Sequence, residues 1–192
     1  MGVLILGLIL FIGPHCLRIV ADGWRTRTIA RVGIKRWKAV YSIVSIIGFV
    51  LLVYGFGLAR QTPQLLYVPA PAMRHANETL VLVALILFVA ARVPRNHFKA
   101  TLHHPQSLSV FVWAAGHLLV NGMLHDVVLF GALGLWGLAA FLAGRARDRA
   151  TRAAYPAGTL LGDVLCVAVG VVLWALFAFW LHGWLFGVKP FG

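Results

Sequence analysis

Six runs of apolar residues, each near the length that crosses a lipid bilayer, are separated by gaps that hold most of the chain's charge. A helix needs about 20 mostly apolar residues to cover roughly 30 Å of hydrocarbon. In hydrocarbon every backbone N–H and C=O must be satisfied internally, which a helix does within one segment. The runs cover Met1 to Val20, Ala39 to Ala59, Glu78 to Ala91, Pro105 to Val120, Leu124 to Ala143 and Thr159 to Gly187. The third and fourth are short, and either extend by a turn into their flanks or sit where the bilayer thins. The expected fold is all-α: a multi-pass membrane protein, a bundle of about six transmembrane helices forming a single domain over residues 1–192. Composition agrees, with 61% hydrophobic and 11% charged residues against roughly 45–50% and about 25% in soluble domains. It excludes a soluble enzyme, a secreted disulfide scaffold and a disordered regulator.

The net charge of +12, from 17 Lys and Arg against five Asp and Glu, would in a soluble chain point to nucleic acid. Position argues otherwise. Arg25, Arg27, Arg31, Lys35, Arg36 and Lys38 share one gap, Arg92, Arg95 and Lys99 a second, and Arg145, Arg147, Arg149 and Arg152 a third. These are alternate gaps of a polytopic chain, and basic residues collect on the cytoplasmic side because they resist translocation. With Arg18, fourteen basic residues fall on one side and only Arg60, Arg74 and Lys189 on the other. Both termini are therefore expected on the periplasmic side of a bacterial inner membrane, with the lipid bilayer and no nucleic acid as partner. Met1 is followed at once by apolar residues, with no basic n-region and no small-residue cleavage site before Pro14. The first run therefore reads as a retained helix and not a signal peptide.

Small residues mark where bilayer helices approach closely. Ser45, Gly48, Leu52 and Gly55 line one face of the second span, Gly131, Gly134 and Gly137 one face of the fifth, and Gly162, Cys166 and Gly170 one face of the sixth. Cys16 and Cys166 read as packing residues, and no Cys-x-x-Cys-His motif is present for covalent haem attachment.

Polar groups at membrane depth are costly and point to function by default. Of the eight histidines, His15 and His117 lie deepest. His15 shares a helical stripe with Leu4, Leu8, Phe11 and Arg18, just after Pro14, where a local kink is expected. His117 shares one with Val110, Trp113 and Asn121. Paired imidazoles on apolar, aromatic faces are how helix bundles build b-type haem sites. A buried histidine bonded to a backbone carbonyl is the plainer alternative. His104 before Pro105 reads equally as a ligand or acid/base group at the helix mouth and as a cap. His182 reads as an interface residue beside Trp180 and Trp184, and His125 with Asp126 as a solvated pair in a tight turn. Asp163 either orients a histidine or favours its helix N-terminus.

Gly13-Pro14-His15-Cys16-Leu17-Arg18, Tyr41-Ser42-Ile43-Val44-Ser45 with Gly48-Phe49 and Tyr54-Gly55, and His104-Pro105 followed by Trp113-Ala114, His117-Leu118 and Asn121-Gly122 together resemble the NnrU family over nearly the whole chain. That family is named for an association with nitrite and nitric oxide reduction in denitrifying bacteria, and its relative is the haem b zeta-carotene isomerase of plants and cyanobacteria. The resemblance implies haem b held between transmembrane helices, with His15 and His117 as axial ligands of one iron and His104 in the same site. Arg18, Trp113 and Asn121 would line it, and a membrane redox or reductase partner follows. One departure matters. Where the isomerase has a cysteine in the turn before its second histidine, this chain has Ala114, so haem binding is compatible with the sequence while cis-trans isomerisation of a polyene is put in doubt. His104-Pro105 also resembles the opening of small membrane methyltransferases, but Ser109 stands where those carry glycine, and the five residues after Gly187 are too few for their charged cofactor motif.

Overall fold

In a computed structural model, which describes residues Met1–Phe191, the chain is all-helical and contains no strand among those residues. The helices are α1 (Gly2–Val20), α2 (Asp22–Val32), α3 (Ile34–Ala59), α4 (Met73–Ala90), α5 (His97–Leu102), α6 (Pro105–Val120), α7 (Leu124–Thr151) and α8 (Leu160–Leu176). A π-helical turn, Phe177–Leu181, leads from α8 into α9 (His182–Phe186). Five of the helical segments are long and apolar enough to cross a membrane, α8 through α9 counting as one, and α6 is a shorter apolar helix. The chain is thus a multi-pass membrane protein, and five such spans plus α6 stand where six were expected.

The basic gaps are largely helical, although Arg92 and Arg95 lie in the turn between α4 and α5. The first folds as α2, the second holds α5, α3 begins at Ile34, and α7 runs eight residues beyond the expected Ala143. Lys and Arg are good helix formers, so charge marks where lipid ends and not where a helix ends. Breaks fall instead at backbone-specific positions. Gly33, at φ 83°, separates α2 from α3, and the side chain of Thr159 caps α8 by accepting from the Gly162 N–H. Asn96 caps α5 by accepting from the Lys99 N–H at 2.7 Å and donates to the Ala90 and Val93 carbonyls. It is only 1% exposed, so these bonds are what make its burial affordable.

Contacts divide the chain into two units, Met1–Val68 with Asn121–Trp136, and Pro69–Val120 with Gly137–Gly192. In the first unit α1 and α3 pack antiparallel through glycine. A Cβ at Gly7 would collide with backbone at Leu52, one at Gly48 with backbone at Phe11, and one at Gly55 with backbone at Leu4. The small-residue face expected on this span is that interface. The α7 turn in this unit is closed by the 60–68 loop. Leu124 N donates to Gln64 O, and the Leu66 N–H donates to the Gly122 carbonyl at 2.9 Å. Gly122 is obligatory there, because the Tyr67 carbonyl occupies the space of a Cβ.

In the second unit α4 packs against α6 and α8. Gly116 of α6 meets Asn77 and Leu80, Gly170 of α8 meets Ile86, and Gly162 meets the Arg95 carbonyl. Cys166 is fully buried on the same stripe, as a packing residue should be. The expected stripe on α7 is divided: a Cβ at Gly137 would lie 2.9 Å from the Phe111 nitrogen, whereas Gly131 has open space beside it.

Candidate functional site

The eight histidines fall into two classes by what they bond. Five face a carboxylate: His75 with Glu78, His97 with Asp163, His103 and His104 with Asp148, and His125 with Asp126. The other three place Nδ1 on a backbone carbonyl: His15 on Phe11 at 2.6 Å, His117 on Trp113 at 2.8 Å and His182 on Val188 at 2.7 Å. A carbonyl only accepts, so in these three Nδ1 carries the proton and Nε2 is the acceptor, or metal-binding, nitrogen. Metal-ligating histidines commonly fix their second nitrogen in this way. All three lie within apolar helical segments, His182 in the last turns of the α8–α9 span.

In the first unit His15 is half-buried and ringed by aromatics, with Phe11, Tyr41 and Trp136 at centroid distances of 4.8, 5.1 and 5.5 Å. It lines a hollow of about 300 Å³ with Pro14, Arg18, Arg25, Trp37, Lys38 and Tyr41. Arg18 lies one helical turn beyond the histidine, and Arg25 and Lys38 come from α2 and α3, so three cations border one small space. Two buried polar atoms nearby have no protein partner. One is the Trp136 indole N–H, whose ring meets His15 edge-on, and the other is the Ser45 hydroxyl. The α1–α3 register seen at Gly48 and Gly55 brings Ser45 level with Pro14. Orphaned buried polar atoms are uncommon and call for a ligand, water or strain.

In the second unit the His117 ring lies 4.8 Å from that of Trp113, one turn earlier on α6. The neighbouring α4 presents Asn77, whose buried side-chain oxygen has no partner and abuts Gly116. Asn121 falls in the first unit, where its carbonyl accepts from the Tyr67 hydroxyl at 2.8 Å. His104 stands at the opposite end of α6 from His117. Thirteen residues at 1.5 Å each separate them by about 20 Å along the helix, so one iron cannot take a nitrogen from both.

His104 belongs instead to a hub on α7. Asp148 Oδ2 accepts from His103 Nδ1 and His104 Nε2, each at 2.9 Å, and from the Tyr155 hydroxyl at 3.0 Å. The His103 and Tyr155 rings stack at 4.1 Å, and Gly144 leaves the room that the His104 ring fills. His104 is thus neither a bare cap nor an isolated ligand. Asp148 and Tyr155 were not singled out in the sequence. The one available signal was that Asp148 is the only acid in its basic segment.

Three further expectations meet their outcome here. Asp163 orients a histidine, accepting from His97 N and facing His97 Nδ1 at 2.7 Å. His125 and Asp126 are buried, at 6% and 8% exposure, and not solvated, because the 60–68 loop and Phe56 cover their turn. His182 packs on Phe186, with its Nδ1 held by Val188.

Among the described residues no three His, Cys, Asp or Glu side chains converge to hold a bare metal ion. Iron in a porphyrin asks the protein for at most two axial ligands. The residues around His15 fit that demand: an imidazole with Nε2 as its acceptor nitrogen, aromatic walls, an unpaired indole donor, and cations suited to propionates.

No curated protein and no solved structure matches the chain. A family model described as "NnrU protein" does, over residues 3–190, and with nearly its whole length matched, the chain belongs to the NnrU family.

Proposed function

We propose that this NnrU-family protein is a membrane haem b protein supporting nitrite and nitric oxide reduction, and that His15 and His117 are the residues that would hold the haem. Bound haem b would supply a one-electron couple. The chain's own contribution is preparation. Each imidazole is oriented by its Nδ1–carbonyl bond, which makes Nε2 the nitrogen whose lone pair a metal would take. The observation that carries the reading is the hollow at His15, where Arg18, Arg25 and Lys38 can neutralise propionates beside aromatic walls. Its volume, about 300 Å³, is at the small end of ligand pockets and suits the carboxylate edge of the macrocycle. The role in nitrogen-oxide reduction rests on family membership. A polyene isomerase using the relative's thiol has none here, since Ala114 is fully buried in that place.

The test is a visible spectrum and pyridine haemochrome of the protein purified from cells supplied with haem precursor. A b-type Soret band is expected in the wild type, abolished or strongly shifted in His15→Ala and His117→Ala and unchanged in His97→Ala. Full haem occupancy with an unaltered spectrum in both of the first two variants would sink the ligand assignment. Loss in His15→Ala with retention in His117→Ala would move the second nitrogen to His104.

A further inference from the structure

Another hollow lies beside the Asp148 hub. It measures about 300 Å³ and is lined by His103, Arg145, Asp148, Arg149, Arg152 and Ala153, all within the second unit. Three arginines and one carboxylate line it, and that carboxylate already receives His103, His104 and Tyr155 on Oδ2. Arg145 is held in place by donating to the Thr101 carbonyl at 2.8 Å. Arginine at a helix C-terminus is ordinary, since it complements the dipole. The backbone here is not.

Arg152 closes α7 at φ 50°, and the next residue, Ala153, donates back to the Asp148 carbonyl at 2.9 Å. This is a helix end in which the turning position is usually glycine, because a side chain in the left-handed region costs about 1–2 kcal/mol. Elsewhere the chain obeys that preference, with Gly33 and Gly187 at φ 83° and 71°. Its non-glycine exceptions are Arg95, His103 and Arg152, and two of these three line this one hollow. Strain retained at residues that share a cavity points to a use for their side chains.

We propose that this hollow binds a phosphate group, either of an anionic lipid headgroup or of a soluble phosphate, through Arg149, Arg152 and His103, with Arg145 as the anchored wall. The planar guanidinium fork matches phosphate oxygens. The hub supplies position: with Nδ1 on Asp148, the His103 ring is held against Tyr155 and keeps Nε2 for the ligand. The single carboxylate of Asp148 is outnumbered by three guanidiniums in the lining, and its Oδ2 is already engaged by three donors.

The test uses the full chain, delipidated in a neutral detergent, with thermal unfolding followed while phosphatidylglycerol, phosphatidylcholine or inorganic pyrophosphate is added. A ligand that binds only the folded state raises the midpoint. Phosphatidylglycerol is expected to raise it and phosphatidylcholine is not. A matching rise with pyrophosphate would identify a soluble phosphate as sufficient, and its absence would assign the site to a lipid headgroup. Arg149→Gln with Arg152→Gly should weaken the response at least about tenfold, the loss of one or two charge-assisted bonds. Arg152→Gly alone should match or exceed the wild-type midpoint without ligand, because it relieves the positive φ, yet respond less to the anion. The pair Arg31→Gln and Arg36→Gln, exposed and outside the hollow, removes the same charge and should respond like the wild type. No response to either anion, or equal weakening in the Arg31/Arg36 pair, would overturn the proposal.

Discussion

Asp148 shows how much one oxygen can hold. Its Oδ2 takes two imidazoles and a phenol, and the residue lies 44 positions from His104, beyond any local spacing rule. Asp148→Asn keeps the shape but brings an amide with its own two donors into a cluster of donors. We expect it to destabilise the protein by about 1–3 kcal/mol, read as a lower midpoint in detergent. An unchanged midpoint would mean that water already satisfies the two histidines. The exposed His97–Asp163 pair is the internal comparison, with the histidine side chain 61% exposed; Asp163→Asn should shift the midpoint far less, as surface pairs do. Sequence alone exposed the histidines that lie inside apolar runs, since an imidazole there is visible without coordinates. It did not show which would find a carboxylate and which a carbonyl, because four of the five acids meet a histidine only by chain reversal or local folding.

At the scale of elements, the α1–α3 pair is held by backbone proximity. No water-driven hydrophobic force acts between helices in lipid, so close packing carries the association. Gly48→Ala would push a methyl into the α1 backbone at Phe11, and we expect a cost of about 1–3 kcal/mol, the range for overpacking. Gly13→Ala and Gly57→Ala point into open space and should be neutral or slightly stabilising through helix propensity. Thermal unfolding of the three variants separates the cases, and equal effects would refute the packing account. The small-residue stripes on α3 and α8 were legible because their spacing repeats with the helix. The division on α7 was not, since Gly131 and Gly137 look alike in sequence and only one has a neighbouring backbone beside it. The helices in the basic gaps were missed for a related reason: hydropathy reports lipid exposure, and α2 and α5 are helical without it.

At the scale of the whole molecule, the asymmetry of fourteen basic residues against three gives a topological prediction. A reporter active only in the cytoplasm, fused after Arg149, should give signal, and the same reporter after Ala70 should not; the reverse pattern would invert the orientation. The sequence by itself determined that this is an all-helical, multi-pass membrane chain of the NnrU family, and it placed His15 and His117 within apolar segments. It could do so because lipid imposes length, apolarity and internal hydrogen bonding on each segment separately, so each segment declares itself. Only the tertiary structure decided that His104 shares an oxygen with His103 and Tyr155, that His125 and Asp126 are buried, and that cations from α1, α2 and α3 border the His15 hollow. Those facts depend on which residues distant in the chain come within about 3–5 Å of one another, the range over which hydrogen bonds and ring contacts act, and no periodicity along one segment encodes that.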